Sequence, residues 1–175
     1  MKNSKVRWIA RTAVLIALLV ALQAVTRPLG NTIITGSIVN MMLVISVMSC
    51  GLATGLTVAA VSPVMAAALG IAPNWLFAPF IALGNLALVT IWHLIGNRKM
   101  GPKYVPWIIA LVTAAVAKFL IMHFGVVGIV MGLPFRLETL LGSPFSLPQC
   151  LTASIGGVLA IIVFPTLKKA INSQR

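Results

Sequence analysis

Acidic side chains are almost missing from this chain: Glu138 stands alone against thirteen Lys and Arg. That excludes a pair of carboxylates for acid–base work, and no His-Glu-x-x-His zinc motif is present. Proton relays through a membrane typically run along acidic groups and find little to use here. No Gly-x-x-x-x-Gly-Lys-Ser/Thr run occurs, so ATP cannot be held through a P-loop. Ser62 and Ser154 fall in apolar runs with no convincing base. The chain therefore reads as a non-enzyme, with no catalytic residue, no metal ligand set and no cofactor. Cysteine is scarce too. Cys50 and Cys150 fall at opposite ends of the topology argued below, so they read as packing residues and not as a disulfide.

Charge of either sign is rare, at 8% of residues, while 60% are hydrophobic. The mean hydropathy is +1.09. A soluble domain of this size has too little interior to hide so much apolar surface. The apolar runs are continuous and rich in Ala, Leu, Val and Ile, unlike the alternating strands of a membrane barrel. The class is all-α and polytopic, with residues 1–175 forming one integral membrane domain. The net charge of +12 does not point to nucleic acid, because the cations cluster at the ends of apolar segments.

Six apolar segments stand out, at about residues 8–26, 37–50, 52–71, 76–97, 104–124 and 149–167. The first follows Lys2, Lys5, Arg7 and Arg11 in the manner of a signal peptide. It is long enough to span, however, and Leu22-Gln23-Ala24 is a poor cleavage site. It reads as a retained helix. The stretch from Ser37 to Ile71 has no charged break, and charge parity decides between one span and two. With two spans turning near Ser49-Cys50-Gly51, Arg98, Lys99, Lys103, Lys168, Lys169 and Arg175 join the N-terminal four on one side. Ten of the thirteen cations are then cytoplasmic, which predicts six transmembrane helices with both termini inside. The second helix is expected to be short. Pro63 is expected to kink the third.

Gly51-x-x-x-Gly55 at the turn is either a close-packing motif or a plain flexible turn. Residues 126–148 are too polar and interrupted to span. They are expected to hold a short interfacial helix near Phe135–Leu141 and to lid an outward-facing site. No internal repeat is evident, which weakens an inverted-repeat carrier.

In this topology the polar residues that are not anchors gather in the outer half. Arg27, Asn31, Asn40, Asn74, Trp75, Arg136, Glu138 and Gln149 lie in or near the outer loops. Two lie deeper: Asn85, about 15 Å beyond Trp75, and Lys118, about 21 Å beyond Tyr104, at about 1.5 Å per residue. Intramembrane ionisable groups usually face a cavity or a partner. Asn40, Asn74, Trp75, Asn85, Lys118, Arg136, Glu138 and Gln149 are therefore the candidate substrate-binding residues. Lys118 and Arg136 lean toward a ligand with an anionic or carbonyl group. The blander readings are that Asn85 bonds a neighbouring helix, that Lys118 is locked to Glu138, and that Trp75 is a belt anchor. Trp8, Trp92 and Trp107 read as belt residues at the inner boundary. His123 lies about 140° round the helix from Lys118 and is not expected to face the same cavity. Gln149, Thr152, Ala153 and Gly156 share a small, polar face.

Ala13, Ala17 and Ala21 recur every fourth residue on the first helix. Small residues let helices approach closely in lipid, so this stripe packs either inside the protein or against a partner.

The chain resembles the substrate-binding S component of energy-coupling-factor (ECF) transporters from about residue 5 to residue 170. The resemblance rests on the size, the six helices with basic ends, and the run Ala-Arg-Thr-Ala-Val-Leu-Ile-Ala-Leu-Leu-Val-Ala-Leu-Gln at 10–23. Thr57 to Ile71 and Pro79-Phe80-Ile81-Ala82-Leu83-Gly84-Asn85 also look like these proteins. It implies a multi-pass protein of a prokaryotic plasma membrane that binds a water-soluble vitamin or related micronutrient. It also implies a transmembrane coupling protein, docked on an Ala-x-x-x-Ala motif, and two cytoplasmic ATPases. Ala13-x-x-x-Ala17 and Ala17-x-x-x-Ala21 both match that motif. The competing classes are a stand-alone solute carrier or channel and a non-catalytic membrane scaffold.

Overall fold

The computed structural model describes residues 2–70, 75–98, 100–102, 104–132 and 143–172. All regular structure among them is helical. Helix α1 is Lys2–Thr26, α2 is Thr32–Cys50, α3 is Leu52–Ala68, α4 is Ala78–Gly96, α5 is Val105–Met122 and α6 is Leu147–Asn172. Five helical stretches are long and apolar enough to cross a membrane: Ser4–Leu29, Thr32–Cys50, Trp75–Gly96, Val105–Val130 and Leu147–Lys169. The sixth apolar helix, α3, has 17 residues and is about 25 Å long at the α-helical rise.

The second helix is not short, as the sequence suggested. It begins five residues earlier than its apolar run, because Asn31 caps it. The Asn31 side-chain oxygen accepts from the backbone N–H of Ile33 at 2.9 Å and of Ile34 at 3.3 Å, which satisfies two of the donors a helix start leaves open. Thr32 and Thr35 look like loop residues in a hydropathy reading but are helical. At the other end the chain reverses through Gly51, whose φ of 86° suits glycine. Gly55 has a separate role. A Cβ there would come within 2.8 Å of Val47 Cβ, so the missing side chain lets α2 and α3 close on each other. The hairpin at Ser49-Cys50-Gly51 thus uses one glycine to turn and the next to pack.

Helix α2 packs against α1, α3, α4 and α6, while α4 also packs against α3 and α5, and α5 against α6. The principal core lies along these seams, with Leu43, Val44, Val58, Leu88, Val89, Ala110, Ala114 and Ala160 enclosed. Trp92 and Trp107 are enclosed with them. Trp107 donates its indole N–H to the Gly96 carbonyl at 3.2 Å, so these two rings are interior rather than belt residues. The outer faces carry apolar residues such as Val14, Val112 and Ile162. An apolar core inside an apolar exterior is what a bundle solvated by lipid requires.

Helix α5 does not stop at Met122. It widens into a π-helical stretch, His123–Val130, ended by the Met131 N–H bonding the Val126 carbonyl at 2.9 Å. A second, smaller apolar cluster of Met122, Val126, Val127 and Phe145 closes that end. His123 Nδ1 lies 2.9 Å from the Ser146 hydroxyl, tying the end of α5 to the start of α6. The helix expected near Phe135–Leu141 lies outside the described residues.

Candidate functional site

Three polar side chains from three helices meet inside the bundle. The ε-amino group of Lys118 on α5 donates to the Asn40 side-chain oxygen on α2 at 2.6 Å and to that of Asn85 on α4 at 2.7 Å. The Asn40 amide nitrogen in turn donates to the Thr152 hydroxyl on α6 at 3.2 Å. The Thr152 hydroxyl donates to the Gln149 backbone carbonyl at 3.1 Å. Lysine has donors only, so both amide oxygens must face it, which fixes the orientation of both asparagines. All four side chains are at most 3% exposed. The large majority of polar groups buried at such depth are hydrogen-bonded, and these four are.

Glycines set this geometry. A Cβ at Gly156 would strike the Ser37 carbonyl oxygen, and one at Gly36 would lie 2.9 Å from Thr152 Cγ2. Helices α2 and α6 therefore touch backbone to backbone, which brings Asn40 within reach of Thr152. A Cβ at Gly84 would lie 3.4 Å from Lys118 Cγ, so the residue before Asn85 leaves room for the lysine stem to pass.

The cluster opens onto a cavity of about 590 Å³ lined from all six helices, within the usual range for small-molecule sites. Asn40 lies nine residues beyond the Asn31 cap and Asn85 eight beyond Phe77. Both are thus about 12–14 Å down their helices at about 1.5 Å per residue. Above them Phe77 and Phe145 form part of the wall, their ring centroids 4.9 Å apart. Gln23, Asn31, Thr35 and Gln149 add polar groups to a lining that is otherwise mainly apolar. Buried groups there keep hydrogen-bonding capacity to spare among the described residues. The Gln23 side-chain oxygen is buried and accepts no hydrogen bond. Lys118 has three N–H donors and uses two.

Of the residues expected to bind substrate, Asn40, Asn85, Lys118 and Gln149 line this one cavity. Trp75 does not; it is 58% exposed at the head of a short 3-10 turn. Asn74, Arg136 and Glu138 lie outside the described residues, and with them the expected lock between Lys118 and Glu138. His123 is buried but does not line the cavity. Ala13, Ala17 and Ala21 are all on the exposed side of α1.

Gln23, Thr35, Phe77 and Phe145 were not anticipated. Gln23 carried a signal, as the one amide within the first apolar run. The two phenylalanines carried none, since a single aromatic at a helix start also suits a lipid-facing position.

Among the described residues no group of three His, Cys, Asp or Glu could hold a metal. The arrangement offers donors, amide groups and aromatic surface, which is the chemistry of binding. No protein-family model, curated protein or solved structure matches this chain.

Proposed function

We propose that this chain is the substrate-binding membrane subunit of an importer of the ECF type. It crosses the membrane six times with both termini in the cytoplasm, and receives a water-soluble vitamin or related micronutrient from outside. One observation carries the reading: a vitamin-sized cavity with Lys118, Asn40 and Asn85 at its base lies at one end of the bundle, opposite the end where the basic clusters gather. Positive charge marks the cytoplasmic side, so the cavity faces outward.

The spare Lys118 donor and the Gln149 amide suit a ligand with a carbonyl or carboxylate oxygen, while Phe77 and Phe145 suit a flat ring beside it. Energy for uptake comes from a transmembrane coupling protein and two ATPases, since the chain has no P-loop of its own. The exposed alanine stripe of α1 supports docking of the coupling protein, because small residues on an outer helix face leave a smooth track for a second helix.

The test is native mass spectrometry of the chain purified from its host membrane. A retained molecule of vitamin size, together with a second membrane protein and ATPases, is the expected result. A stand-alone carrier would bring the molecule without the partners. A scaffold would bring neither, and would reduce the Lys118 cluster to an interhelical lock.

A further inference from the structure

A second cavity, of about 620 Å³, lies at the opposite end of the bundle, where the ends of α2, α4 and α6 meet the start of α5. We propose that it seats the phosphate of an anionic phospholipid, with Arg98, Lys168 and His93 as the phosphate ligands. The proposal does not depend on what occupies the other cavity.

The polar side of this cavity is built of donors. Lys168 has no partner among the described residues, and Arg98 uses only its Nε, on the Leu94 carbonyl of its own helix at 3.3 Å. The terminal guanidinium nitrogens are left for an anion, in the fork geometry that matches phosphate oxygens. His93 is set up the same way. The Asn97 amide nitrogen lies 3.0 Å from the His93 carbonyl and 3.1 Å from its Nδ1. A carbonyl only accepts, so it is the amide NH2 that faces His93; Nδ1 is then the acceptor and Nε2 carries the hydrogen. Two cations and the His93 ring thus line one space, and no carboxylate lines it among the described residues.

The other side is apolar: Val47, Met48 and Phe164 line it beside Trp107. The Trp107 indole N–H is already spent on Gly96. A free phosphate has no use for such a wall. A lipid does, because its glycerol and first methylenes lie just below the phosphate, and basic pockets between helix ends are where anionic headgroups are held. Four helix ends place this space at headgroup depth.

The experiment is native mass spectrometry of the full-length chain incubated with phosphatidylglycerol, phosphatidylcholine or both. One phosphatidylglycerol is expected to be retained in preference to phosphatidylcholine. R98Q/K168Q should lower that retention about 30-fold, taking each basic residue near the surface at its usual weight. K169Q removes a neighbouring cation that does not line the cavity and should leave retention unchanged. Equal retention of the two lipids, full retention by R98Q/K168Q, or equal loss in K169Q would overturn the proposal. So would displacement of the lipid by millimolar inorganic phosphate, which would assign the site to the free anion. If R98Q/K168Q does not fold, brominated lipids give the same answer in a W8F/W75F protein, where Trp92 and Trp107 report on the cavity. Stronger quenching by brominated phosphatidylglycerol than by brominated phosphatidylcholine supports the site, and equal quenching overturns it.

Discussion

Lys118 and Asn40 are 78 residues apart in sequence and 2.6 Å apart at their polar atoms. The bond joins α5 to α2, and Asn85 brings in α4. Replacing Lys118 with methionine keeps an unbranched stem, one heavy atom shorter, and removes both bonds. Two buried amide oxygens then lose their donor, at about 1–3 kcal/mol each. Thr113→Val serves as the control, since that hydroxyl only bonds carbonyls of its own helix. Titration calorimetry with the co-purified ligand should show binding lost in K118M and kept in T113V. Thermal unfolding of the empty proteins separates the two roles. If K118M melts lower but binds as well as the parent, Lys118 is a lock and not a ligand contact.

Much of the architecture was legible because the physics is coarse. Long apolar runs and clustered cations settle helix class and approximate boundaries before any packing is known. Lys118 and Asn85 stood out because each is a polar group inside such a run. Their partnership with Asn40 did not. These helices are apolar on every side, so periodicity cannot tell a lipid-facing position from an inward one. The same blindness hid Phe77, and let Trp92 and Trp107 pass for belt residues. Gly36 and Gly156 mark where α2 meets α6, but that is visible only once the two backbones are side by side.

That contact makes its own prediction. A methyl at Gly156 runs into the Ser37 carbonyl, a backbone atom that cannot turn aside, and comes within 2.7 Å of Asn40 Cβ. Gly156→Ala should force α2 and α6 apart and cost roughly 1–3 kcal/mol, the usual penalty for overpacking. The Asn40–Thr152 bond stretches with it, so ligand affinity should fall as well. Gly70→Ala is the comparison: nothing lies within 4 Å, it does not line the cavity, and the strain comes only from its φ of 66°. Melting curves with and without ligand should show G70A affecting stability alone. Unchanged affinity in G156A would mean that the cavity tolerates a shift of α6.

The alanine stripe separates assembly from folding. Ala17 is exposed on α1, so Ala17→Leu meets no neighbour inside the chain and should leave the melting temperature and ligand binding as they are. In the membrane it places a branched side chain on the track proposed for the coupling protein. Co-purification of that protein should drop severalfold, while Leu18→Phe, also exposed but about 100° round the helix from Ala17, should have less effect. Equal recovery from all three proteins would remove the stripe from the docking surface.

Gln23 offers the sharpest test, because stability and binding should move in opposite directions. Its side-chain oxygen is buried at the cavity wall with no donor among the described residues, which costs the empty protein on the order of 1 kcal/mol or more. Gln23→Leu has similar bulk and removes that cost, so the empty protein should melt higher. A ligand that donates to this oxygen, or reaches it through a water, should bind Q23L more weakly than the parent, by about tenfold for one hydrogen bond. Both quantities come from one pair of thermal scans, with and without saturating ligand. A variant that gains stability and loses no affinity would place Gln23 outside the contact surface, and would leave Lys118 and the asparagines to bind alone.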